Sequence, residues 1–270
     1  MTEANQIPAE TTQSEDRYVL FLDLLGFKAQ VARAESDPAE RQRIREILLM
    51  VQDTVCAYPH ADLQLSHFSD CLVYSVPRTA AGLSEILTAI EVLTINLLQY
   101  DMLVRGGLAA GWAVHHGPLL YGTAVTEAYE LESKDGGPPL TRLSALVLSD
   151  VDRFGTPFPK MLLESAGIIF VNYLRQFELY RHQPIWSGKW IMDEPGKRIV
   201  DFVCQRLNSD AGRVLEKAEW FQQYWNQTVV PGGVFGSIEK GVTERYHTDG
   251  PAVMIRRMVA PAPQPKPPTS

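Results

Sequence analysis

The sequence predicts a mixed α/β fold of the α+β type, and three observations lead to it. Short apolar runs of strand length end at turn signals, as at residues 18–24, 63–67 and 71–76. Longer segments that begin near Pro38 and Ala80 carry apolar residues at the spacing of an amphipathic helix. With 45% hydrophobic and 21% charged residues over 270 positions, the chain has the composition of a globular protein with a sizeable core.

The predicted strands and helices alternate along the chain. Asp37, Pro38 and Glu40 combine a helix N-cap, a first-turn proline and a capping-box glutamate, so a helix begins here. The predicted strands span residues 18–24, 63–67, 71–76, 104–115 and 144–148, and the predicted helices begin near residues 38, 80 and 123. This order contains the βαββαβ plan of a ferredoxin-like sheet that helices cover on one face.

Four segments are predicted along the chain. Residues 1–16 are polar and aperiodic and residues 260–270 are proline-rich, so we expect both to be mobile tails. Residues 17–150 hold the βαββαβ plan and form the main predicted domain. Residues 151–259 form a C-terminal α/β extension packed on that core. The extension includes a predicted strand at 168–173 and a predicted helix at 211–225.

Charge and cysteine content narrow the possible partners. The formal net charge of −7 leaves no broad cationic surface for a nucleic-acid polymer. Cys56, Cys71 and Cys204 are odd in number and lack CxxC spacing, which argues against a disulfide framework or structural zinc and favours the cytoplasm. We expect no membrane association, because we find no signal-peptide pattern and no apolar run that approaches about 20 residues.

Two aspartates are the leading candidates for chemistry. Asp23 closes the first strand and Asp70 lies at the tip of a predicted hairpin, so neighbouring strands can bring them together. Paired carboxylates suit a hard divalent cation such as Mg²⁺ or Mn²⁺ over a triphosphate, and the backbone after Asp23, at Gly26 and Phe27, suits phosphate oxygens. The alternative is that each aspartate only caps or forms its turn.

At this point the residues resemble a known family. Phe21-Leu22-Asp23-Leu24-Leu25-Gly26-Phe27 resembles the first metal motif of class III nucleotidyl cyclases. Phe68-Ser69-Asp70 resembles the second, with Ser69 in place of the usual glycine. Residues 104–111 and 121–128 fit the next two conserved blocks, so the resemblance covers about residues 18–148 and implies that residues 17–150 are a cyclase catalytic domain.

The resemblance implies a set of site residues and a homodimer whose active sites lie at the subunit interface. Two divalent ions, Mn²⁺ or Mg²⁺, would be held by Asp23, Leu24 and Asp70. Arg105 would lie near the phosphates, although an ion pair with a neighbouring carboxylate is the alternative. The remaining substrate contacts are expected at Leu24, Leu25, Gly26, Phe27, Tyr58, Ser66, Phe68 and Tyr129.

Departures from the family's purine-specific members bear on the substrate. Ser66 and Leu119 stand where purine cyclases have their two base-reading residues, and Thr126 and Glu130 stand where they have the catalytic asparagine and arginine. The combination resembles the pyrimidine cyclases of bacterial Pycsar antiphage systems. It implies conversion of UTP or CTP into cyclic UMP or cyclic CMP, which a separate cyclic-nucleotide-binding effector would read.

The choice of base stays open at this level. UTP is preferred over CTP, but Ser66 can serve either uracil or cytosine. A catalytically inactive cyclase-like sensor is the alternative from another class, and a purine cyclase with unusual base readers is the third. His115 and His116 are interpreted as residues that flank a turn, because neighbouring strand residues point to opposite faces and no third zinc ligand stands nearby.

Overall fold

A computed structural model describes residues 15–56, 62–179, 193–232, 235 and 237–239. Eight strands and eight α-helices occur in this part of the chain. The strands are β1 Glu15–Leu25, β2 Gln64–Phe68, β3 Cys71–Pro77, β4 Leu103–His116, β5 Leu119–Gly122, β6 Thr141–Leu143, β7 Leu162–Ser165 and β8 Ile168–Val171. The helices are α1 Phe27–Ala34, α2 Pro38–Cys56, α3 Ala80–Gln99, α4 Thr123–Ser133, α5 Ala145–Phe154, α6 Arg175–Leu179, α7 Asp193–Ser209 and α8 Gly212–Thr228.

All eight strands belong to one sheet, in the order β2-β3-β1-β4-β6-β8-β7, with β5 paired to β4. Each pair of neighbours among the first four strands is antiparallel, and β6 joins β4 in parallel. This order of β1 to β4 is that of the ferredoxin-like βαββαβ plan, so the predicted α+β fold class is confirmed. The register places Asp23 of β1 between Cys71 of β3 and Arg105 of β4.

The two faces of the sheet carry different layers. On one face, alternate residues of β1 such as Leu20 and Leu22 pack with α2 and α3 into the largest core cluster. On the other face, which we call the α4 face, Val19, Val73 and Ala109 pack against α4. Asp23 lies on the α4 face, because side chains alternate along a strand.

Helix α4 approaches strand β4 closely at a glycine. A Cβ atom at Gly107 would lie 2.1 Å from the carbonyl oxygen of Ala128 and 2.7 Å from the Cβ of Leu131. Only glycine therefore allows the helix to sit this near the sheet. The close approach brings the polar side chains of α4 within reach of β1 and β4.

The predicted strand at 144–148 is wrong. The strand in this region is β6, and α5 begins at Ala145 with Ser144 as its N-cap, whose Oγ accepts a hydrogen bond from the Val147 amide at 3.3 Å. An apolar run of four residues does not distinguish a strand from a first helical turn. The serine before the run was the signal for a helix.

The other predicted elements agree with the structure within a few residues. Helix α2 begins as expected, with Asp37 Oδ1 accepting a hydrogen bond from the Ala39 amide at 2.9 Å. Of the two expected tails, Glu15 and Asp16 already belong to β1, and residues 1–14 and 260–270 lie outside the described residues.

The described residues after position 150 extend the same sheet and add a second core cluster. Strand β8 pairs with β6 through Phe170 and Arg142. Helices α7 and α8 pack over this end of the sheet, with Phe202, Phe221 and Trp225 buried between them. The division of the chain at residue 150 stays a prediction.

Helix α3 contradicts the expectation that no apolar run approaches about 20 residues. It is long and apolar enough to span a membrane by length and composition, so an apolar run of about 20 residues does exist. However, 78% of its most apolar 18-residue window is buried inside the fold. Its apolar residues form the core between the sheet and α2.

Candidate active site

The structure brings the two predicted carboxylates to the same end of the sheet. Asp23 lies near the end of β1, and Asp70 lies in the turn between β2 and β3. The Leu24 amide donates a hydrogen bond to the Asp70 carbonyl oxygen at 2.8 Å, which holds the turn against the strand end. Ser69 has φ of 56°, a left-handed conformation that favours glycine, so the turn keeps the shape that a glycine would give it.

A third carboxylate, which the sequence analysis missed, completes this cluster. Glu132 is buried at the end of α4 and accepts a hydrogen bond from Arg105 Nε at 2.6 Å. Arg105 Nη2 donates to Asp23 Oδ2 at 3.2 Å, so the guanidinium bridges the two carboxylates. The structure therefore shows for Arg105 the ion pair that was the alternative to a phosphate contact. Glu132 follows Ala124 and Ala128 at helical spacing. This spacing places it on the buried side of α4, and a buried glutamate could have been recognised from the sequence on that ground.

A lysine from the C-terminal region adds a positive charge near the carboxylates. Lys217 of α8 interacts electrostatically with Arg105, Asp23 and Glu132. The pKa of Lys217 is lowered, first by burial and then by the Arg105 charge, while the two carboxylates oppose the shift. Leu215 of α8 and Leu25 of β1 both pack against the C-terminal core cluster. Sequence reasoning could not find Lys217, because no local pattern links α8 to β1.

The electrostatics of the cluster favour a cation. Burial, the Glu132 charge and the Asp70 charge raise the pKa of Asp23 to about 6, against the opposing effects of Arg105 and Lys217. Burial and the nearby carboxylates also raise the pKa of the Cys71 thiol to about 11. A divalent cation would relieve this repulsion, because it stabilises the ionised form of every carboxylate that it contacts.

The donor set fits a hard cation in chemistry. Asp23 Oδ1 and the Asp70 carboxylate are oxygen ligands of the kind that Mg²⁺ and Mn²⁺ prefer. Among the described residues, no group of three or more histidine, cysteine, aspartate or glutamate side chains is close enough to hold a metal ion. Ligands from water or from substrate phosphates would have to complete the coordination. Leu24 can contribute only main-chain atoms, because its side chain is a hydrocarbon, which is also buried in the core.

The loop after Asp23 has the form expected for a backbone contact with phosphate. Gly26 has φ of 87° and is the N-cap of α1. Phe27 is buried, so it could meet a substrate only through its main-chain amide. Leu25 is half-buried and packs towards the C-terminal core cluster. These residues stay predicted contacts.

The remaining predicted contacts are spread over a wider surface. Phe68 is 82% exposed, and Tyr129 is exposed with its ring edge against Phe21, at 5.4 Å between the ring centroids. Thr126 and Glu130 of α4 are also exposed. Leu119, half-buried, begins β5. Tyr58 lies outside the described residues.

Ser66 belongs to a polar network that the sequence analysis did not foresee. Its Oγ lies 2.9 Å from Nε2 of His115, and Nδ1 of the same ring lies 2.8 Å from Ser75 Oγ. His115 is buried and His116 is exposed, as expected for neighbours on a strand. The turn follows at Gly117, so His115 flanks the turn and also connects strands β2 and β3.

We expect His115 to make the protein less stable in acid. Burial and the neighbouring Arg17 charge lower the pKa of His115 to about 4, from an ordinary value near 6.5. Between about pH 6.5 and pH 4 the unfolded chain binds a proton at His115 and the folded chain does not. The free energy of unfolding therefore falls by roughly 3 kcal/mol as the pH is lowered through this range. Urea unfolding at pH 7 and pH 4.5 checks this. The difference in free energy of unfolding between the wild type and His115→Gln is expected to be smaller at pH 4.5 than at pH 7. An equal difference at the two pH values would contradict the prediction.

Several solved structures resemble this chain. The adenylyl cyclase CyaB from P. aeruginosa is 14% identical, with a TM-score of 0.46, and the match covers 59% of this chain and 94% of that chain. The guanylate cyclase domain of RhGC from Catenaria anguillulae, in complex with GTP, is 13% identical, with a TM-score of 0.43 and coverage of 59% and 96%. A class III adenylyl cyclase-like ATP-binding protein from Pseudomonas aeruginosa is 12% identical, with a TM-score of 0.42 and coverage of 80% and 45%.

No protein-family model matches the sequence, and no curated protein matches it at a significant level. With identities of 12–14% and TM-scores of 0.42–0.46, the likeness to these three structures does not place the chain in a family. The function therefore has to follow from the site residues themselves.

Proposed function

We propose that this chain is a metal-dependent nucleotide cyclase that acts on pyrimidine nucleoside triphosphates, with UTP favoured over CTP. One observation carries the proposal: the carboxylates of Asp23 and Asp70 lie at one end of the sheet, where Arg105 pairs with Asp23 and the Lys217 charge acts on Asp23. Carboxylates that hold divalent ions, next to cations that hold phosphates, are the parts that phosphoryl transfer requires.

The proposed reaction is an intramolecular displacement. The 3′-hydroxyl oxygen forms a bond to the α-phosphorus while the bond from that phosphorus to the oxygen of the β-phosphate breaks. The hydroxyl proton is released, and the products are the 3′,5′-cyclic nucleotide and pyrophosphate. The two metal ions, when bound, lower the pKa of the hydroxyl and neutralise charge on the triphosphate.

The chain's own residues would position the substrate. Asp23, Asp70 and main-chain atoms of Leu24 would hold Mn²⁺ or Mg²⁺. Glu132 anchors Arg105 through Nε, which orients the rest of the guanidinium towards the carboxylate pair where phosphate oxygens would lie. Lys217 would add a second positive charge to the same place.

The pyrimidine preference rests on the residues in the base-reading positions of the resemblance. Ser66 and Leu119 are short or apolar, and neither can act as the charged readers of a purine. Conversion of CTP into cyclic CMP is the alternative within this function. We extend the proposal to cytoplasmic antiphage signalling, in which a separate effector reads the cyclic nucleotide.

The proposal includes a homodimer. Phe68 and Tyr129 are large aromatic side chains that are exposed in the single chain, which is typical of a surface that a partner covers. Both flank the carboxylate cluster, Phe68 in the strand before Asp70 and Tyr129 in the helix before Glu132. A second copy on this surface would enclose the site and exclude water from it.

One assay tests the function. The purified full chain is incubated with Mn²⁺ and, separately, with ATP, GTP, CTP and UTP, and the products are identified by mass spectrometry. Cyclic UMP is the expected main product. The absence of any cyclic nucleotide would overturn the proposal.

The second candidate function is that of an inactive cyclase-like binding module. The observation in its favour is that Arg105 already engages Asp23, at 3.2 Å, so one oxygen of the metal pair is occupied. Thr126 and Glu130 also lack the chemistry of the family's catalytic asparagine and arginine. Binding of a nucleoside triphosphate without turnover in the same assay would favour this function.

We expect Lys217→Gln to raise the KM for the nucleoside triphosphate about tenfold, because one hydrogen bond between charged groups is lost. The effect on kcat should be smaller, since Lys217 would contact phosphates that change little during the step. Steady-state kinetics measure both constants. Lys197→Gln on α7 is the control and is expected to have no effect, because Lys197 pairs with Glu194 outside the site.

A further inference from the structure

A cavity of about 510 Å³ lies between strand β7 and helix α8. Strand β7 is the last strand of the sheet and stands four positions from β1, so this wall of the cavity is roughly 19 Å from the strand that carries Asp23. None of the residues of the carboxylate cluster lines the cavity. Its volume falls within the range of sites that bind small molecules.

The buried part of the cavity lining is aromatic. Phe170 of β8 and Tyr224 of α8 are buried, with their ring centroids 5.5 Å apart. Trp220 packs against both rings, at 5.8 and 5.2 Å between the centroids, but it is half-buried and the rest of its surface lines the cavity. The Tyr224 hydroxyl donates to Oδ1 of the buried Asn172 at 2.7 Å. This part of the lining therefore offers ring surfaces to a ligand.

The rim of the cavity carries two side-chain amides. Gln223 and Gln227 stand one turn apart on α8, line the cavity and are exposed. Within the part of the chain that the structure describes, neither amide has a hydrogen-bond partner. Each amide donates through its nitrogen and accepts through its oxygen, so it matches a ligand edge on which a donor and an acceptor are neighbours.

The charges along the cavity balance each other. Among the described residues that line it, Lys160 and Glu164 are the charged ones, one of each sign. The chain as a whole has a formal net charge of −7. A phosphate group would gain no net attraction in these surroundings, so the lining favours a ligand without charge.

The aromatic surface, the paired amides and the balanced charge together favour the base of a nucleoside. A nucleobase is a planar ring that stacks on aromatic side chains, and hydrogen-bond donors and acceptors alternate along its edge. Glutamine pairs in this way with the amino group and the neighbouring ring nitrogen of adenine. The fused rings of a purine cover more of an indole than the single ring of a pyrimidine does, which favours a purine.

Helix α8 connects the cavity to the carboxylate cluster. Lys217 precedes Trp220 by three residues and Gln227 by ten, so all three share one face of the helix. Lys217 acts electrostatically on Asp23, and it lies about 15 Å from Gln227 along the helix axis. Because a packed helix moves as a rigid element, a ligand that displaces Trp220 also displaces Lys217.

We propose that the cavity between β7 and α8 is a regulatory site that binds a purine nucleoside, and that α8 carries the effect of binding to Lys217. The base lies against Trp220, and its edge pairs with the amides of Gln223 and Gln227. Binding depends on the cavity alone, whereas the effect on catalysis rests on the proposed cyclase function. Since Lys217 would contact the phosphates, the nucleoside changes the affinity for the triphosphate.

Binding is tested with adenosine in the presence of EDTA, so that no metal ion is bound at the carboxylates. Stacking on Trp220 is expected to quench part of the tryptophan fluorescence, and calorimetry gives the Kd. Trp220→Phe is expected to keep the binding and lose this quenching, because an aromatic wall remains. Adenosine 5′-monophosphate is expected to bind more weakly than adenosine. Tighter binding of the monophosphate would overturn the choice of a ligand without charge.

Gln223→Leu and Gln227→Leu test the pairing with the base. Each is expected to weaken adenosine binding about tenfold, because leucine has a similar size and no hydrogen-bonding atoms. Gln205→Leu on the exposed side of α7 is the matched control and is expected to leave the Kd unchanged. Indole has a planar ring without a base edge, so its binding is expected to be equal in all these proteins. Loss of indole binding together with adenosine binding would overturn the pairing.

The effect on catalysis is measured as the KM for UTP with Mn²⁺, with and without saturating adenosine. The KM is expected to change at least about fivefold, and Trp220→Ala and Lys217→Gln are each expected to abolish the change. A folded wild type that does not bind adenosine overturns the inference, whatever its cyclase activity. Adenosine binding by a protein that forms no cyclic nucleotide overturns the proposed function and leaves the site in place. Binding with an unchanged KM overturns the role of α8.

Discussion

Replacement of Asp70 by alanine is expected to lower cyclase activity at least about 100-fold, because the variant loses one of two carboxylates that would hold the metal ions. The fold is expected to survive. The turn is held by the main-chain hydrogen bond from the Leu24 amide to the Asp70 carbonyl oxygen, which the substitution retains. Removal of a half-buried negative charge also relieves the repulsion on Asp23.

Two measurements check this result. Product formation from UTP with Mn²⁺ gives the activity, and titration with Mn²⁺ in the absence of nucleotide, followed by calorimetry, gives metal binding. Asp152→Ala is the control, because Asp152 is an exposed residue of α5 outside the site. A folded Asp70→Ala protein that cyclises UTP at the wild-type rate would show that Asp70 is only a turn residue.

The carboxylate pair could be predicted because its two members carry local signals. Asp23 interrupts an apolar run before a glycine, and Asp70 sits between two strand-like runs, so each marks the end of a strand. The order of elements then places both strand ends together. The same local logic predicted where α2 and α4 begin, near residues 38 and 123.

The rest of the site depends on contacts that are distant in sequence. Glu132 joins the site only because α4 crosses β4 at Gly107. Lys217 acts electrostatically on the site from α8, nearly 200 residues along the chain from Asp23, and α8 belongs to the core cluster against which Leu25 of β1 packs. His115 reaches Ser66 and Ser75 across two other strands. Hydrophobic periodicity does not reveal contacts between segments that are distant in sequence. Sequence analysis therefore predicted the two carboxylates and missed the residues around them.

The same limit applies to the error at residues 144–148. Four apolar residues satisfy both a short strand and the first turn of a helix, and tertiary packing decides between them. Here the contacts of Asp150 favour the helix. It lies on α5, accepts a hydrogen bond from the Tyr18 hydroxyl at 2.9 Å, and pairs with Arg78. These partners come from β1 and from the loop before α3.

The largest effect on stability is expected at a buried ion pair between α3 and α6. Glu91 is fully buried and accepts two hydrogen bonds from Arg175, at 2.6 and 2.7 Å, and one from Gln176 at 2.8 Å. Burial raises the pKa of Glu91 and the Arg175 guanidinium opposes that shift, so the carboxylate depends on its partner to remain charged.

We therefore expect Glu91→Ala to lower the free energy of unfolding by about 3–5 kcal/mol, because it leaves the Arg175 charge buried without a partner. The double variant Glu91→Leu, Arg175→Leu is expected to lose much less, since both charges are then replaced by apolar groups of similar size. Glu46→Ala on the exposed side of α2 is the control, with an expected change within about 0.5 kcal/mol. Urea unfolding followed by circular dichroism measures all three. If the single and double variants lost equal stability, packing between α3 and α6, and not the unpaired charge, would account for the loss.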